Sequence, residues 1–173
     1  MMSYQNTPMF NLLKRLIIIR HGEAERYATS DHQRALTRQG ITRLSKTRER
    51  LDAAIKSVQA HASLEVWVSD ARRTLETWDA LHQGFEMPNN LDLTVTCKSE
   101  LYLASQHVIY HSMIEAEIKA LAPFTLVIIG HNPGLSELVS ELTSRPKLLE
   151  TGELVDLISG GDRWTLTDQP MIG

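Results

Sequence analysis

Two histidines in this chain each stand where an apolar run stops. Leu16-Ile17-Ile18-Ile19 leads into Arg20-His21-Gly22, and the run that closes with Ile129 leads into Gly130-His131-Asn132-Pro133-Gly134. A histidine placed where a buried strand gives way to a loop is held rigidly yet stays open to solvent. The arginine beside it can neutralise a phosphoryl group, and the glycine after it lets the backbone fold closely around that group. His21 therefore reads as a nucleophile that accepts a phosphoryl group, since a neutral imidazole supplies an attacking nitrogen. A third polar cluster, Ser69-Asp70-Ala71-Arg72-Arg73, follows the apolar Val66-Trp67-Val68. Phosphoryl transfer needs donors around the equatorial oxygens and a nucleophile in line with the leaving atom. An arginine meets the first need with its paired N–H groups.

Such residues must be positioned by regular elements. The β-branched run 16–20 predicts a buried strand, and the polar stretch 23–36 a loop over the site. From Thr37 to about 59, Ile41, Leu44, Leu51 and Ile55 recur at helical intervals. A second strand is expected over 66–69, with Ser69 or Asp70 capping a helix over 71–83. Turn residues fill 84–90, and 93–97 alternates as a strand does. A helix over 103–121 takes Val108, Ile109, Met113, Ile114, Ile118 and Leu121 as its apolar positions. A further buried strand, 124–129, precedes a short helix that ends near Leu142. In the tail, strands over 154–158 and 163–167 are joined by Gly160-Gly161-Asp162 as a hairpin. Strands alternating with helices indicate a mostly parallel α/β sheet with helices on both faces, whose sites form at the carboxyl ends of strands. All three polar clusters then share one edge, gathering two histidines and at least two arginines.

Composition narrows the class. The 173 residues suffice for one domain with a real core, with 1–14 expected as a flexible N-terminal extension. A hydrophobic content of 42% and a charged content of 23% are those of an ordinary soluble protein. A net charge of -3 does not favour non-specific binding to nucleic acid, so no nucleic-acid partner is expected. The leading residues lack the unbroken apolar core of about 7–15 residues that a signal peptide needs. No run approaches the roughly 20 apolar residues of a membrane span. The expectation is a cytoplasmic protein with no membrane partner. Cys97 is the one cysteine, which excludes a disulfide within these residues, and it is expected in or near the core. His107 and His111 share a helical face at i, i+4, but with no third ligand nearby they read as surface residues, as do His32, His61 and His82. The cluster Arg43, Lys46, Arg48, Glu49, Arg50 reads as a solvated helix face. No metal and no cofactor are expected.

Several motifs occur in a fixed order: Arg20-His21-Gly22, Asp31-x-x-Arg34-x-Leu36-Thr37-x-x-Gly40, Ser69-x-x-x-Arg73-x-x-x-Thr77, Leu101-Tyr102-x-Ala104, Gly130-His131-Asn132-Pro133-Gly134-Leu135 and Thr151-Gly152. Together they resemble the histidine phosphatase superfamily, and within it the short SixA-like phosphohistidine phosphatases, from Leu16 to about Trp164. The resemblance implies a three-layer α/β/α fold of the phosphoglycerate mutase type with a mostly parallel central sheet. It implies a metal-independent phosphatase that forms a transient phosphohistidine on His21, which water then hydrolyses. Arg20, Arg73 and His131 would bind the phosphoryl oxygens, Gly22 would orient the nucleophilic ring through its carbonyl, and Asn132 would add a hydrogen bond at the pocket edge. The implied substrate is phosphohistidine on a protein, such as a histidine phosphotransfer or carrier domain. Two other readings stay open: a small-molecule phosphomonoesterase on the same fold, and a non-catalytic phosphohistidine-binding regulator.

The chain departs from the family pattern at two places. Asp70 stands where proline is usual; it is expected to cap the following helix, with repulsion of phosphate or a pairing to Arg72 as the alternatives. Ala35 follows Arg34 where proline is common. For the general acid, Glu100 lies near the place where longer relatives carry a carboxylate, and Glu23 follows the nucleophile motif. A phosphohistidine substrate eases this demand. Its imidazole leaving group, with an ordinary pKa of about 6.5, needs less acid help than an alkoxide.

Overall fold

Apolar runs become the centre of a sheet. The computed structural model describes residues 10–58, 62–86, 91–160 and 163–167. Its strands are β1 (Leu13–Arg20), β2 (Ser63–Ser69), β3 (Asp92–Lys98), β4 (Phe124–Gly130), β5 (Leu154–Ser159) and β6 (Trp164–Leu166). They form one sheet in the order β3-β2-β4-β1-β5-β6. The first four strands run parallel, and β5 and β6 are added antiparallel. The register of β1 against β4 sets Arg20 beside Gly130, so the two histidine-bearing strand ends leave the sheet side by side.

Successive strand residues face opposite sides of a sheet. Ile17, Ile19, Val66, Val68, Val127 and Ile129 pack with Leu44, Leu51 and Ile55 of α1 (Arg38–Lys56) and Leu81 of α2 (Arg72–His82). Leu16, Ile18, Leu126 and Ile128 pack with Ile109 and Met113 of α3 (Gln106–Lys119) and Leu135 and Leu138 of α4 (Gly134–Thr143). A sheet covered on both faces explains why its central strands read as continuous apolar runs. The expected three layers are present. Among the described residues, no helix is long and apolar enough to cross a membrane.

Two helices carry, in their first turn, glycines that serve as seats. A Cβ on Gly40 would lie 2.2 Å from the carbonyl oxygen of Glu23, and one on Gly134 would lie 2.0 Å from that of Ala104. Only a residue without a side chain lets those loops close on the helices. Thr37 caps α1, its Oγ1 accepting from the Gly40 N–H at 2.8 Å.

Several expectations are corrected. The part of the expected 1–14 extension that is described, from Phe10 onward, is packed: Phe10 is buried with its ring edge-on to Tyr110 and Trp164. The Glu117 carboxylate accepts the backbone N–H groups of Asn11, Leu12 and Leu13, which fixes the start of β1 to α3. Residues 1–9 lie outside the described residues. Cys97 is exposed, because β3 is an edge strand whose residues from Asp92 to Cys97 face solvent. The helix expected from 103 begins at Gln106, after a 3₁₀ turn (Ser99–Leu101) and a Leu103 in left-handed backbone with φ 47°. Of its expected apolar positions, Ile109 and Met113 are buried and Ile114 packs in part, but Val108, Ile118 and Leu121 are exposed. Ile41 is half-exposed on α1. The hairpin strands pair antiparallel, with Gly160 N donating to Arg163 O; Gly161 and Asp162 lie outside the described residues, as does His61.

Neither Ser69 nor Asp70 caps α2, whose N-cap is Ala71 with no side-chain bond. The Thr74 hydroxyl lies within hydrogen-bonding reach of the Ser69 and Ala71 carbonyls and closes the turn instead. Asp70 turns away, its Oδ1 lying 3.1 Å from Nε2 of His32, and it makes no pair with Arg72, which bonds Glu76. His32 is thereby half-buried rather than a free surface residue.

Candidate active site

The ends of β1, β2 and β4 converge, as a parallel sheet requires. His21 N donates to the Gly130 carbonyl at 3.1 Å, and Gly152 N lies 3.0 and 2.9 Å from the carbonyls of Arg20 and His21. Gly152 holds a φ of +74°, a conformation that favours glycine, so the Thr151-Gly152 turn clamps the nucleophile segment from the far side. The His21 ring donates from Nδ1 to the Gly22 carbonyl at 2.7 Å. Arg73 donates from Nε to His21 Nε2 at 3.3 Å. A guanidinium has no acceptor, so Nε2 carries the lone pair and faces the arginine.

Arg73 is the hub. Although only 2% exposed, it donates from Nη1 to the Asp31 carbonyl at 2.6 Å, and from Nη2 to the Asp31 carboxylate at 3.0 Å and to His131 Nδ1 at 3.3 Å. His131 Nε2 in turn lies 2.8 Å from Ser69 Oγ. One buried guanidinium thus joins both imidazoles, whose ring centroids are 5.2 Å apart. Arg20 anchors through Nη1 to the Leu149 carbonyl at 2.9 Å, while its Nε is buried with no partner. A buried N–H without a partner costs free energy until a ligand accepts from it.

These groups open into a cleft of about 340 Å³ lined by Arg20, His21, Glu23, Ala24, Asp31, Arg34, Arg73, Leu103, His131, Asn132 and Thr151. Burial, aided by the Arg73 and Arg20 charges, pushes the His21 imidazole down to about 4 against the pull of the Gly22 carbonyl. Burial, then His21 and Arg73, push His131 down to about 3. Both rings are neutral at pH 7 in a cleft that keeps its arginine charges. An imidazole with its proton pinned on one nitrogen and its lone pair facing a cationic cleft can attack a phosphorus atom.

No protein-family model and no curated protein matches the chain. Solved structures do. A protein assigned as the phosphohistidine phosphatase SixA of Agrobacterium tumefaciens superposes with a TM-score of 0.67 at 23% identity, over 91% of this chain and 99% of that one. The protein histidine phosphatase SixA complexed with tungstate gives 0.66 at 22%, over 88% of this chain and 94% of the other. A protein assigned as an α-ribazole-5′-P phosphatase of Escherichia coli K-12 gives 0.56 at 15%, over 89% and 94%. This chain has the histidine phosphatase fold.

Within the histidine phosphatase fold, the sequence-predicted His21, Arg20, Arg73, His131 and Asn132 all line the cleft. Asn132 is held at both ends of its amide, donating to the Leu149 carbonyl at 2.9 Å and accepting from Ser136 Oγ at 2.7 Å. Gly22 is not a lining residue; its carbonyl fixes the ring, and its N–H donates to Thr77 Oγ1 at 3.0 Å. A Cβ on Gly22 would press on Leu36 and Leu44 at 3.2 and 3.3 Å, so packing rather than an unusual φ calls for glycine.

Glu100 is not brought to the cleft. It accepts from Lys98 at 2.9 Å on the exposed turn after β3, and that ammonium holds its carboxyl below the ordinary range, the opposite of what a general acid needs. Glu23, the other candidate, does line the cleft, with Oε2 on Arg43 at 2.8 Å. Three residues quoted in the motifs without a role also belong to the site. Asp31 accepts from Arg73, from Arg34 Nη1 at 2.9 Å and from the Tyr102 hydroxyl at 2.6 Å. Complementary charges at i, i+3 in a loop expected over the site were the available signal. His111 pairs with Glu115 at 3.3 Å, and no group of three or more metal-type ligands occurs among the described residues.

The two depressed imidazoles make stability pH-dependent. The unfolded chain protonates each near the ordinary 6.5, whereas the folded chain resists protonation to about 4 and about 3. Between those values the unfolded state binds more protons, so stability is complete above 6.5 and falls as the pH drops. The Asp31 carboxyl, held low chiefly by Tyr102 and Arg34, extends the loss to more acid conditions. Thermal melting across pH 7.5 to about 4 should show a steadily falling Tm. A flat profile would contradict the burial of the two rings.

Proposed function

We propose that this chain is a phosphatase that removes a phosphoryl group from phosphohistidine on a protein, by way of a transient phosphohistidine at His21. The observation that carries the reading is the His21 ring, with Nδ1–H tied to Gly22 O and the Nε2 lone pair facing the buried, charged fork of Arg73. The entering phosphoryl oxygens take over the donors of Arg73 and the unpartnered Nε of Arg20, which frees the Nε2 lone pair. The Nε2–P bond forms as the P–N bond to the substrate imidazole breaks. The electron pair of that bond stays on the substrate nitrogen, and the proton already on the other nitrogen of that ring lets it leave as neutral imidazole. Water then attacks phosphorus, the P–Nε2 bond breaks, and phosphate departs. With the phosphoryl dianion nearby, His131 takes a proton on Nδ1 and becomes a donor.

The choice of a protein substrate is supported by what covers the cleft. Between α2 and α3 the described chain forms only β3 and one 3₁₀ turn, which leaves room for a histidine on a protein surface. The neighbours of this fold named as SixA are phosphohistidine phosphatases by name, in accord with that choice. The position of Glu100 outside the cleft fits as well, since an imidazole leaving group needs little proton help. The test is phosphate release from a phosphohistidine-containing carrier protein, set beside p-nitrophenyl phosphate. Fast release from the protein supports the reading. Release only from the aryl ester moves the function to small phosphomonoesters, and tight binding without release makes the chain a phosphohistidine-binding regulator.

Glu100→Gln should leave turnover of the phosphohistidine protein within about twofold of wild type. Glu23→Gln should slow an alkyl phosphate ester more than the protein, because only an alkoxide leaving group needs a proton donor. A large loss of protein turnover in Glu100→Gln, measured as initial rates of phosphate release, would return Glu100 to the mechanism.

A further inference from the structure

We propose that β3 is a self-pairing edge through which two copies of this chain join as antiparallel strands, about a two-fold axis centred on Val95. Among the described residues β3 pairs with β2 alone, so its outer edge offers a row of backbone N–H and C=O groups. Its residues from Asp92 to Cys97 are exposed, with Leu93 at 37% and Val95 at 44%. Monomeric proteins guard such edges with proline, bulges, inward charges or very short strands. The opposite edge obeys that rule: β6 is three residues long. The seven-residue β3 pairs with β2 through an unbroken register, contains no proline and has charges only at its two ends.

The sequence Asp92-Leu93-Thr94-Val95-Thr96-Cys97-Lys98 is self-complementary when reversed. Val95 meets Val95 on the axis, Thr94 meets Thr96, Leu93 meets Cys97, and Asp92 meets Lys98, each pair occurring twice. Directly opposed residues share a face, and apolar, threonine and opposite-charge pairs all stabilise a ladder. A closed two-fold contact of this kind uses one patch against itself and consumes the β3 edge of both copies, leaving only the short β6 at each end. Lys98 already donates to Glu100 at 2.9 Å and lies 4.7 Å over the Trp67 ring. An ammonium has three donors, so it can accept a second carboxylate. The occupant is a second copy because this register sets the opposite charges at the two ends of the strand against each other while its apolar and threonine residues meet their own kind.

Sedimentation velocity over a concentration series tests this. The wild-type chain is expected to pass from monomer to dimer, and Val95→Lys to weaken the dimer by at least about tenfold in Kd. Asp92→Lys and Lys98→Asp should each weaken it, and the double exchange should restore it. Val95→Cys in a Cys97→Ser background should give an oxidant-dependent covalent dimer. Far-UV circular dichroism checks that each variant is folded, and a Val95→Lys variant that fails to fold leaves the charge exchange and the cross-link to decide. A wild type that stays monomeric at its solubility limit, a dimer untouched by these substitutions, or a double exchange no better than the singles would overturn the proposal.

Discussion

Replacing His21 by alanine is expected to reduce phosphate release by about 10³-fold or more while leaving anion binding in the cleft largely intact. The ring has two partners, the Gly22 carbonyl and Arg73 Nε, and neither depends on it for its place in the fold. Gly22 is held separately by Thr77 Oγ1, and Arg73 by Asp31 and His131. Loss of the ring therefore removes the attacking nitrogen and spares the donors. Rapid-quench labelling with a phosphohistidine protein should trap phosphate on the wild type in an acid-labile, alkali-stable form. The variant should show no label. Turnover within a few-fold of wild type in His21→Ala would remove the covalent route.

Replacement of Arg73 ranks next. Lysine keeps the charge but supplies a compact point donor in place of a rigid fork. Arg73 makes contacts on four sides from a position 2% exposed, and no single ammonium can reach His21, His131 and both oxygens of Asp31. Arg73→Lys should lower kcat by about 10²-fold, in the range for loss of a positioned donor to a developing charge. A second readout separates charge from shape. The Arg73 charge helps to hold the His21 imidazole down to about 4, after burial itself. Arg73→Met should therefore make His21 easier to protonate and move the acid limb of the pH–rate profile upward. An unmoved limb with the same loss of rate would confine Arg73 to binding phosphate.

Much of this site was legible because the sheet is covered on both faces. Its central strands are then unbroken apolar runs, and the polar residue that ends each run marks a strand terminus at the functional edge. Arg20, His21, Arg73 and His131 were placed by that logic. What escaped it depends on partners distant in sequence. Asp70 looks like a helix cap by local rules, but its carboxylate lies beside the His32 ring across the loop, and a threonine hydroxyl closes the turn instead. Cys97 sits in a strand that alternates like a buried one; only its place at the edge of the sheet exposes it, and strand order cannot be read from alternation. Glu100 follows β3 at the expected distance in the chain, but the 3₁₀ turn directs it toward Lys98 rather than the cleft. The left-handed Leu103 delays to Gln106 a helix that periodicity would have begun at 103.

The seats on Gly40 and Gly134 have a consequence for how such a scaffold can be altered. At each, a loop carbonyl rests where any side chain would collide, at Glu23 for the segment that follows the nucleophile and at Ala104 for the segment that precedes α3. The cleft walls are thereby indexed to helices α1 and α4 at two fixed points, and Asp31 ties the first wall to Arg73 and to Tyr102 of the second. A graft that replaces 24–36 or 99–103 on this sheet would have to keep Asp31 and Tyr102, because Asp31 holds the Arg73 fork that meets the phosphoryl group and Tyr102 holds Asp31. The two glycines are the joints at which the loops of the cleft meet the helices beneath them.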